Sequence, residues 1–502
     1  MPGRQPRPGT LARTHPLFAK DGAMRTTCEA SMQKVIPIHP VGAVAASDKI
    51  HVRAIGGTFS RWRWTLVWLT QAFFYGVPWL NWHSRQAVLF DLEAKRFYLF
   101  GAVLFPQDLI YLTGLLVVSA LLLFFATAVI GRVWCGFACP QTVYTAIFMW
   151  IENKCEGSLQ NRKRLDKAAW GVEKLFRRGS KHMAWLAFGL WTGFTFVGYF
   201  SAMRPLMTDA LSLTVGPWTI FWILFYGLFT YLNAGLVREK VCLHMCPYGR
   251  FQGSLMDAHT LNVAYDHQRG EPRRSIAENE HRPANEGHCI DCTLCVQVCP
   301  TGIDIRKGLQ AACIACGLCI DACDEVMAKI QAPKGLIRMA SLHELNDAKK
   351  SNMSSFLHRV IRPRVVVYGV LLCLVIAATV AAFVNRKEVR MDVIRDRSVM
   401  ARQVDRGAVE NVYTLQLMNA SDDTKTVSIN VLPADFLGLI RPVTAKLAPA
   451  QAKTLTVTVR MPGTQAMQRT GEVLPIRFVA VLEGDTDAPS TVESSTFLVP
   501  RQ

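Results

Sequence analysis

Five long apolar runs constrain this chain more than any other feature of its sequence. A helix needs about 20 mainly apolar residues to cross the hydrocarbon core of a bilayer, and each run meets that need. Trp and Tyr are frequent at several of the run ends, as in the aromatic belts of membrane proteins. We therefore predict an α-helical transmembrane bundle of about five spans, namely Trp62–Trp82, Leu109–Ile130, His182–Met203, Pro217–Val237 and Arg364–Val384.

The basic residues of the short loops predict the orientation of the bundle, because Lys and Arg are retained on the cytoplasmic side. Loop 153–181 contains nine Lys or Arg, whereas loop 204–215 contains one and loop 83–108 contains three. Loop 153–181 is therefore expected to be cytoplasmic, which places the N-terminus inside and the C-terminus outside. The apolar segment Val88–Gln107 carries four charged residues, so we expect it to be interfacial or re-entrant.

The formal net charge of +18 would indicate a nucleic-acid partner in a soluble protein. A membrane protein that keeps its basic residues in cytoplasmic segments explains the same charge, and no nucleic-acid recognition motif is present. Residues 1–60 contain scattered Arg, Lys and Pro without a secretory apolar core. We therefore expect no nucleic-acid partner, and we predict a largely disordered cytoplasmic tail in which Cys28 is incidental.

Two runs of four cysteines indicate two [4Fe–4S] clusters. In each run three closely spaced thiolates wrap one corner of a cubane, and the fourth cysteine reaches the other cluster. Zinc is the alternative, but zinc sites usually pair two CxxC knuckles. The spacing predicts a first set of Cys289, Cys292, Cys295 and Cys323, and a second set of Cys299, Cys313, Cys316 and Cys319. Asp324 replaces the proline that usually follows the fourth cysteine, and a carboxylate there is expected to lower the cluster potential.

A second constellation is the repeated pattern CxxxCP. The first motif is Cys135, Cys139 and Pro140, and the second is Cys242, Cys246 and Pro247. Both follow a span that runs from outside to inside in the predicted topology. Residues i and i+4 share a helix face, so each motif is expected to present two sulfurs together.

Four thiolates at one depth favour a soft metal such as Cu(I), with His244 and Met245 as further ligands. A reactive dithiol and simple packing are the alternatives for these cysteines. We interpret Cys373 as a packing residue, Cys155 as unpartnered in the sequence, and His182 and His259 as structural rather than haem or copper ligands.

The C-terminal region has a different pattern of apolar and polar residues. Alternation of apolar and polar residues is clear around Tyr413, in 454–459 and from Ile476 to Leu482, and it predicts short antiparallel strands. A region of this size without cysteine indicates an immunoglobulin-like sandwich that lacks a disulfide. The predicted domains are a tail at 1–60, a four-span membrane domain at 61–240, a cytoplasmic dicluster ferredoxin domain at 241–363, a fifth helix at 364–384 and the sandwich at 385–502.

Several stretches resemble the cytochrome c oxidase accessory family CcoG, also called RdxA or FixG. They are GRVWCGFACPQTVYT from Gly131, WTGFTFVGYF from Trp191, CPYGRFQ from Cys246, CPTGIDIR from Cys299, GLIR from Gly335 and VIRDR from Val393. The resemblance implies a bacterial inner-membrane protein that reduces Cu(II) to Cu(I) during assembly of a cbb-type oxidase. It also implies a periplasmic sandwich, and as partners a copper chaperone or copper-delivery protein and oxidase assembly factors.

Three functions follow from these features. The first is a membrane cupric reductase in which electrons pass from the clusters to a metal held by Cys135, Cys139, Cys242 and Cys246. The second is a quinol-linked electron-transfer subunit that feeds another reductase, which would not need the outer sandwich. The third is an assembly scaffold whose clusters are only structural. This function is less expected, because eight cysteines are used to hold the two clusters. The electron donor and the binding of flavin, haem or quinone are not indicated by the sequence.

Overall fold

The computed structural model describes residues 50–83, 85–273, 287–346, 361–396, 401–482 and 491–501, so Cys28 and most of the predicted tail lie outside the described residues. The helices up to the second CxxxCP motif are α1 Thr58–Gly76, α2 Leu109–Ile130, α3 Val133–Phe137, α4 Pro140–Glu156, α5 Leu159–Lys167, α6 Val172–Val197, α7 Met203–Ser212, α8 Pro217–Thr230 and α9 Pro247–Leu255. The later ones are α10 His267–Gly270, α11 Leu294–Gln297, α12 Leu318–Lys329, α13 Leu342–Asn346, α14 Pro363–Val384 and α15 Gly463–Gln468.

Sixteen strands form five sheets in the described residues. Those before the ferredoxin region are β1 Asn81–Trp82, β2 Arg85–Gln86, β3 Val88–Asp91, β4 Arg96–Leu99 and β5 Ala102–Leu104. The ferredoxin region contains β6 Asn262–Tyr265 and β7 Ile337–Ala340. The C-terminal strands are β8 Val389–Arg395, β9 Arg402–Val404, β10 Ala408–Asn419, β11 Lys425–Leu432, β12 Gly438–Leu439, β13 Val443–Leu447, β14 Ala452–Met461, β15 Val473–Leu482 and β16 Thr491–Leu498.

Three helices of the described chain are long and apolar enough to cross a membrane, Pro106–Ile130, Pro217–Val237 and Pro363–Val384. Large apolar side chains on all three are exposed, as expected where lipid surrounds a helix. The chain is therefore a membrane protein. The other two predicted spans are helices with earlier bounds than expected, because α1 ends at Gly76 and α6 begins at Val172.

Close helix contacts form where glycine leaves room between backbones. Gly189 and Gly193 of α6 face α8, and a Cβ on Gly189 would lie 2.8 Å from the Gly227 carbonyl oxygen. Two small residues four apart are a common device for helix association in membranes. The helices α2 and α14 also pack together, with Tyr111 donating to the Ala382 carbonyl at 3.1 Å.

The segment Val88–Gln107, which was expected to be interfacial or re-entrant, folds mostly as an antiparallel sheet of β3, β4 and β5. An Asx turn starts the first reversal, since Asp91 accepts the Ala94 N–H at 2.8 Å. The sheet packs on the C-terminal domain through Val103 and Phe105, which contact Met418 and Ala420. This segment therefore joins the membrane helices to the C-terminal domain.

The C-terminal domain is the predicted sandwich of two antiparallel sheets. One sheet has the order β12-β14-β10-β8 with β9 beside β10, and the other has the order β13-β11-β15-β16. The predicted inward residues Tyr413, Leu415 and Leu417 are fully buried. Tyr413 also links the sheets, because its hydroxyl donates to the Thr496 carbonyl at 2.8 Å and its ring contacts Phe478.

The ferredoxin region and the sandwich contact opposite ends of the paired helices α2 and α14. At one end the Leu261 N–H donates to the Val129 carbonyl, and Arg362 pairs with Asp257 at 2.5 Å. At the other end Asp108 pairs with Arg390 at 2.6 Å. The helices thus separate the two extramembrane parts of the described chain.

The first helix is fixed to the ferredoxin region at its N-terminus. Asp321 of α12 accepts the N–H groups of Phe59 at 3.1 Å and Ser60 at 2.7 Å. The first N–H groups of a helix have no partner within it, so this carboxylate caps α1 from a distant part of the chain. Residues 50–57 of the predicted tail also pack here, with the Arg53 N–H donating to the Gln297 carbonyl at 2.8 Å.

Candidate metal centre

The eight cysteines of the ferredoxin region line two small neighbouring cavities. One cavity is lined by all four cysteines of the first set, Cys289, Cys292, Cys295 and Cys323. The other is lined by all four cysteines of the second set, Cys299, Cys313, Cys316 and Cys319, with Cys295 between the two. The helix α12 carries Cys319 and Cys323 four residues apart, and it thereby contributes one cysteine to each cavity.

The donor chemistry of both cavities fits a cubane, which takes four thiolate sulfurs. Burial raises the pKa of the Cys295 and Cys323 thiols to about 12, so these sulfurs need a bound metal to be deprotonated. No three His, Cys, Asp or Glu side chains of the described ranges converge closely enough for a single ion. The fit to a cubane rests on the two complete sets of four cysteine sulfurs.

The two CxxxCP motifs do not lie on continuous helices. The helix α3 ends at Phe137 and α4 begins at Pro140, so Cys139 stands in extended backbone between them. Cys246 likewise lies between a π-helical turn, Val241–Met245, and α9. The expected i,i+4 pairing on one helix face is therefore wrong. A proline favours the first turn of a helix and disfavours helical backbone in the residue before it.

Each helix that follows a motif packs on the end of the span that precedes the other motif. Gln141 follows Pro140 and donates to the carbonyls of Asn233 at 2.9 Å and Arg238 at 3.1 Å. Tyr248 follows Pro247, and its hydroxyl bonds the Thr127 hydroxyl at 3.0 Å. This reciprocal docking holds the two motifs side by side.

The four motif cysteines gather in one region, which we call the four-thiol site. The thiol of Cys242 interacts electrostatically with those of Cys139, Cys135 and Cys246. Burial raises the pKa of Cys135 to about 11 and that of Cys242 to about 12. Cys135 also donates to the Gln252 side-chain oxygen at 3.3 Å. The arrangement presents soft donors, although no three of them converge on one point.

The first motif is the part of the four-thiol site that contacts the ferredoxin region. Cys135 packs against the apolar cluster that contains Ile314 and Cys316. A Cβ on Gly136 would lie 2.7 Å from the Ile314 carbonyl oxygen and 2.8 Å from the Cys316 Cα, so only glycine fits here without a shift. Cys135 is thus the motif cysteine that packs against the second set.

The remaining sequence candidates differ in their exposure and contacts. His244 and Met245 are exposed. His182 bonds the Tyr231 hydroxyl at 2.9 Å, and the His259 ring packs on His343. Cys155 is half-buried, and Cys373 is exposed on α14.

Buried charges near the motifs were not anticipated from the sequence. Glu152 is fully buried and pairs with Arg238 at 2.7 Å and with Arg162 at 3.7 Å. Arg132, beside Cys135, donates to the carbonyls of Ala311 and Gly249. The sequence does show Arg132 as a charged residue in the otherwise apolar stretch around the first motif. It does not show which residues Arg132 contacts.

Three family models match the sequence. Residues 112–156 match a 4Fe–4S binding domain, residues 237–342 a 4Fe–4S dicluster domain, and residues 379–500 the immunoglobulin-like fold at the C-terminus of FixG. Protein RdxA of Cereibacter sphaeroides is 38% identical over 77% of this chain and 83% of its own length. Nitrogen fixation protein FixG of Rhizobium meliloti is 34% identical over 82% and 86%, and protein RdxB of Cereibacter sphaeroides is 36% identical over 83% and 89%.

Proposed function

This chain belongs to the FixG/RdxA family of iron–sulfur electron-transfer proteins, and from that premise we propose that it reduces Cu(II) to Cu(I) at the four-thiol site. One observation carries the proposal, the packing of Cys135 and Gly136 of the first motif against the loop of Cys316. When bound, the two clusters supply one-electron transfer. The first set, Cys289, Cys292, Cys295 and Cys323, holds one cluster, and the second set holds the other.

The chemistry of the four-thiol site supports copper as the substrate. Thiolates are soft ligands that select Cu(I) over harder ions, so sulfurs of this site bind the product more tightly than the Cu(II) that enters. One electron is consumed for each Cu(II) reduced, which matches donors that release electrons singly. Cys135, Cys139, Cys242 and Cys246 are the candidate ligands, and Gln252 orients Cys135 through its hydrogen bond.

The proposed setting is a bacterial inner membrane with the ferredoxin region in the cytoplasm and the sandwich in the periplasm. All five predicted spans, including α1 and α6, cross the membrane in this arrangement. A copper chaperone or copper-delivery protein receives Cu(I) for assembly of a cbb-type cytochrome c oxidase, and the sandwich docks an assembly partner. The support is the placement of the two parts at opposite ends of α2 and α14.

The test compares the wild type with a variant in which Cys135, Cys139, Cys242 and Cys246 are changed to Ser. Both proteins are purified without oxygen, their iron and acid-labile sulfide are measured, and Cu(I) formation is followed with a chelator and a chemical reductant. The variant should keep both clusters and lose most of the reduction. Unchanged Cu(I) formation would reject the four-thiol site as the reaction centre.

A cavity favours a second candidate function, that of a quinol-linked electron-transfer subunit feeding another reductase. The cavity has a volume of about 140 Å³ and lies between α1 and α4, where Trp64, Trp150 and Arg63 line it. Leu318 also lines it and adjoins Cys319 of the second set. An aromatic head group with carbonyl oxygens suits such a wall.

The two candidates differ in what the wild type does with a short-chain quinol and with copper. A quinol-linked subunit reduces its clusters with the quinol, loses that reduction in Trp150→Ala, and purifies without a copper site. A cupric reductase binds copper in proportion to intact four-thiol sites. Copper stoichiometry measured on the wild type and on the fourfold Ser variant separates them.

A further inference from the structure

Two buried arginines face the second cysteine set. Arg132 is 5% exposed and donates to the Gly249 carbonyl at 2.6 Å and to the Cys313 carbonyl at 3.4 Å. Arg63 is 6% exposed, and its charge acts on the thiols of Cys316 and Cys299. Its Nη2 atom has no hydrogen-bond partner in the described part of the chain. Both charges therefore act on the second set, and that of Arg132 also acts on Cys135, without an ion-pair partner for either arginine among the described residues.

The first cysteine set has charges of both signs around it. Arg306 lies beside Cys295, but it is paired with Asp304 at 2.8 Å and with Asp291. Asp324 acts on the Cys323 thiol and accepts the Gly335 N–H at 2.8 Å. Carboxylates therefore outnumber the cations at the first set.

Charge decides which cluster is easier to reduce. Reduction adds one negative charge to a cluster, so a fixed cation in a poorly solvated site stabilises the reduced form and a carboxylate opposes it. Asp321, on the helix shared by both sets, is bonded to the N–H groups of Phe59 and Ser60. Asp321 offsets part of the positive charge at the second set. Because two arginines face that set, its cluster should still be the easier of the two to reduce.

We propose that Arg63 and Arg132 give the second cluster the higher reduction potential and make it the electron exit of the ferredoxin region. The second set adjoins Cys135, whereas the first set is enclosed by Tyr265, Leu336 and Ile337. With both clusters bound, one electron would pass from the first cluster, which is oxidised, to the second, which is reduced, and no proton moves and no bond changes. The direction toward the four-thiol site rests on the proposed function.

The test is a potentiometric titration followed by electron paramagnetic resonance on the full chain, purified without oxygen and free of copper. The wild type should show two one-electron midpoints. Arg63→Gln and Arg132→Gln should each lower the higher midpoint by about 59 mV or more, a tenfold change in electron sharing between the clusters. Arg132→Lys keeps the charge and should retain the potential. Asp324→Asn should raise the lower midpoint.

Arg61→Gln is the matched control, because Arg61 lies on α1 but is exposed, and both midpoints should stay in place. A single unresolved wild-type midpoint, or a shift of the lower midpoint in the Gln variants, would overturn the proposal. If Arg132→Gln loses iron, the midpoints of Arg63→Gln and Asp324→Asn test the proposal instead. The titration contains no copper, so its outcome is independent of whether the fourfold Ser variant reduces Cu(II).

Discussion

At the scale of single residues, the contact between the ferredoxin region and the membrane helices depends on a residue without a side chain. A Cβ on Gly136 would meet backbone atoms of Ile314 and Cys316 at less than 3 Å, and backbone gives way only at a cost. The second set therefore sits against the first motif as closely as the backbone permits.

Gly136→Ala should separate Cys135 from the second set and slow electron delivery to Cu(II) by about tenfold or more, since small displacements have large effects on reacting groups. Iron content should stay at the wild-type value. Stopped-flow oxidation of the reduced protein by Cu(II) measures the rate. Gly179→Ala is the control, because a Cβ there meets nothing within 4 Å. Equal rates in both variants would exclude this contact as the route.

The buried carboxylate of Glu152 should be the most sensitive charge of the membrane domain. Glu152→Ala leaves Arg238 and Arg162 buried without this partner, and breaking such a pair costs about 3–5 kcal/mol of folding free energy. Glu173→Ala, which removes an exposed i,i+4 pair with Arg177, should cost less than about 1 kcal/mol. Thermal unfolding in detergent compares the stability of the two variants. Similar losses of stability would contradict a stabilising role for the buried Glu152 pairs.

Residue types with a strict local spacing were predictable, and residues whose partners are distant were not. The cysteine sets follow from intervals of two or three residues, so the grouping that lines the two cavities was visible in the sequence. Glu152 and Arg238 are 86 residues apart, and nothing local to either one indicates the other. The same holds for Arg132 and the Cys313 loop, which are 181 residues apart.

At the scale of elements, the existence of the helices was predictable and several of their ends were not. The helix α1 begins at Thr58 because Asp321 caps its N–H groups, a tertiary contact that apolar patterning does not reveal. The break inside each CxxxCP motif could have been read from Pro140 and Pro247, which mark a helix start. The strands of the sandwich followed their alternation, since one face of each strand is buried.

Removal of the sandwich should leave Cu(II) reduction by the purified protein intact. Deleting residues 390–502 removes the partners of Asp108 and Phe105 but leaves both cysteine sets and the four-thiol site in place. We expect wild-type iron content and Cu(II) reduction in the purified truncated protein, together with weaker oxidase assembly in cells. Loss of Cu(II) reduction by the purified truncation would show that a docking role is too narrow for the sandwich.

At the scale of the whole molecule, the predicted topology places a reducing module and a folded outer domain on opposite sides of one membrane. A reporter enzyme that is active only in the periplasm should work when fused after Gln502 and fail when fused after Gly335. The reasons are the basic loop at 153–181 and the number of spans. The reverse pattern of activity would overturn the orientation, and activity at both positions would require an even number of spans between them.

The cap that Asp321 places on α1 also has a consequence for the order of synthesis. The carboxylate follows Ser60 by 261 residues, and ribosomes add about 5–20 residues per second. The first helix is therefore made roughly 13–50 s before its cap exists, at the same elongation rate. Assembly machinery has that interval in which to reach the unfinished chain, and the first helix closes onto the ferredoxin region only after seven of the eight cluster cysteines have been made.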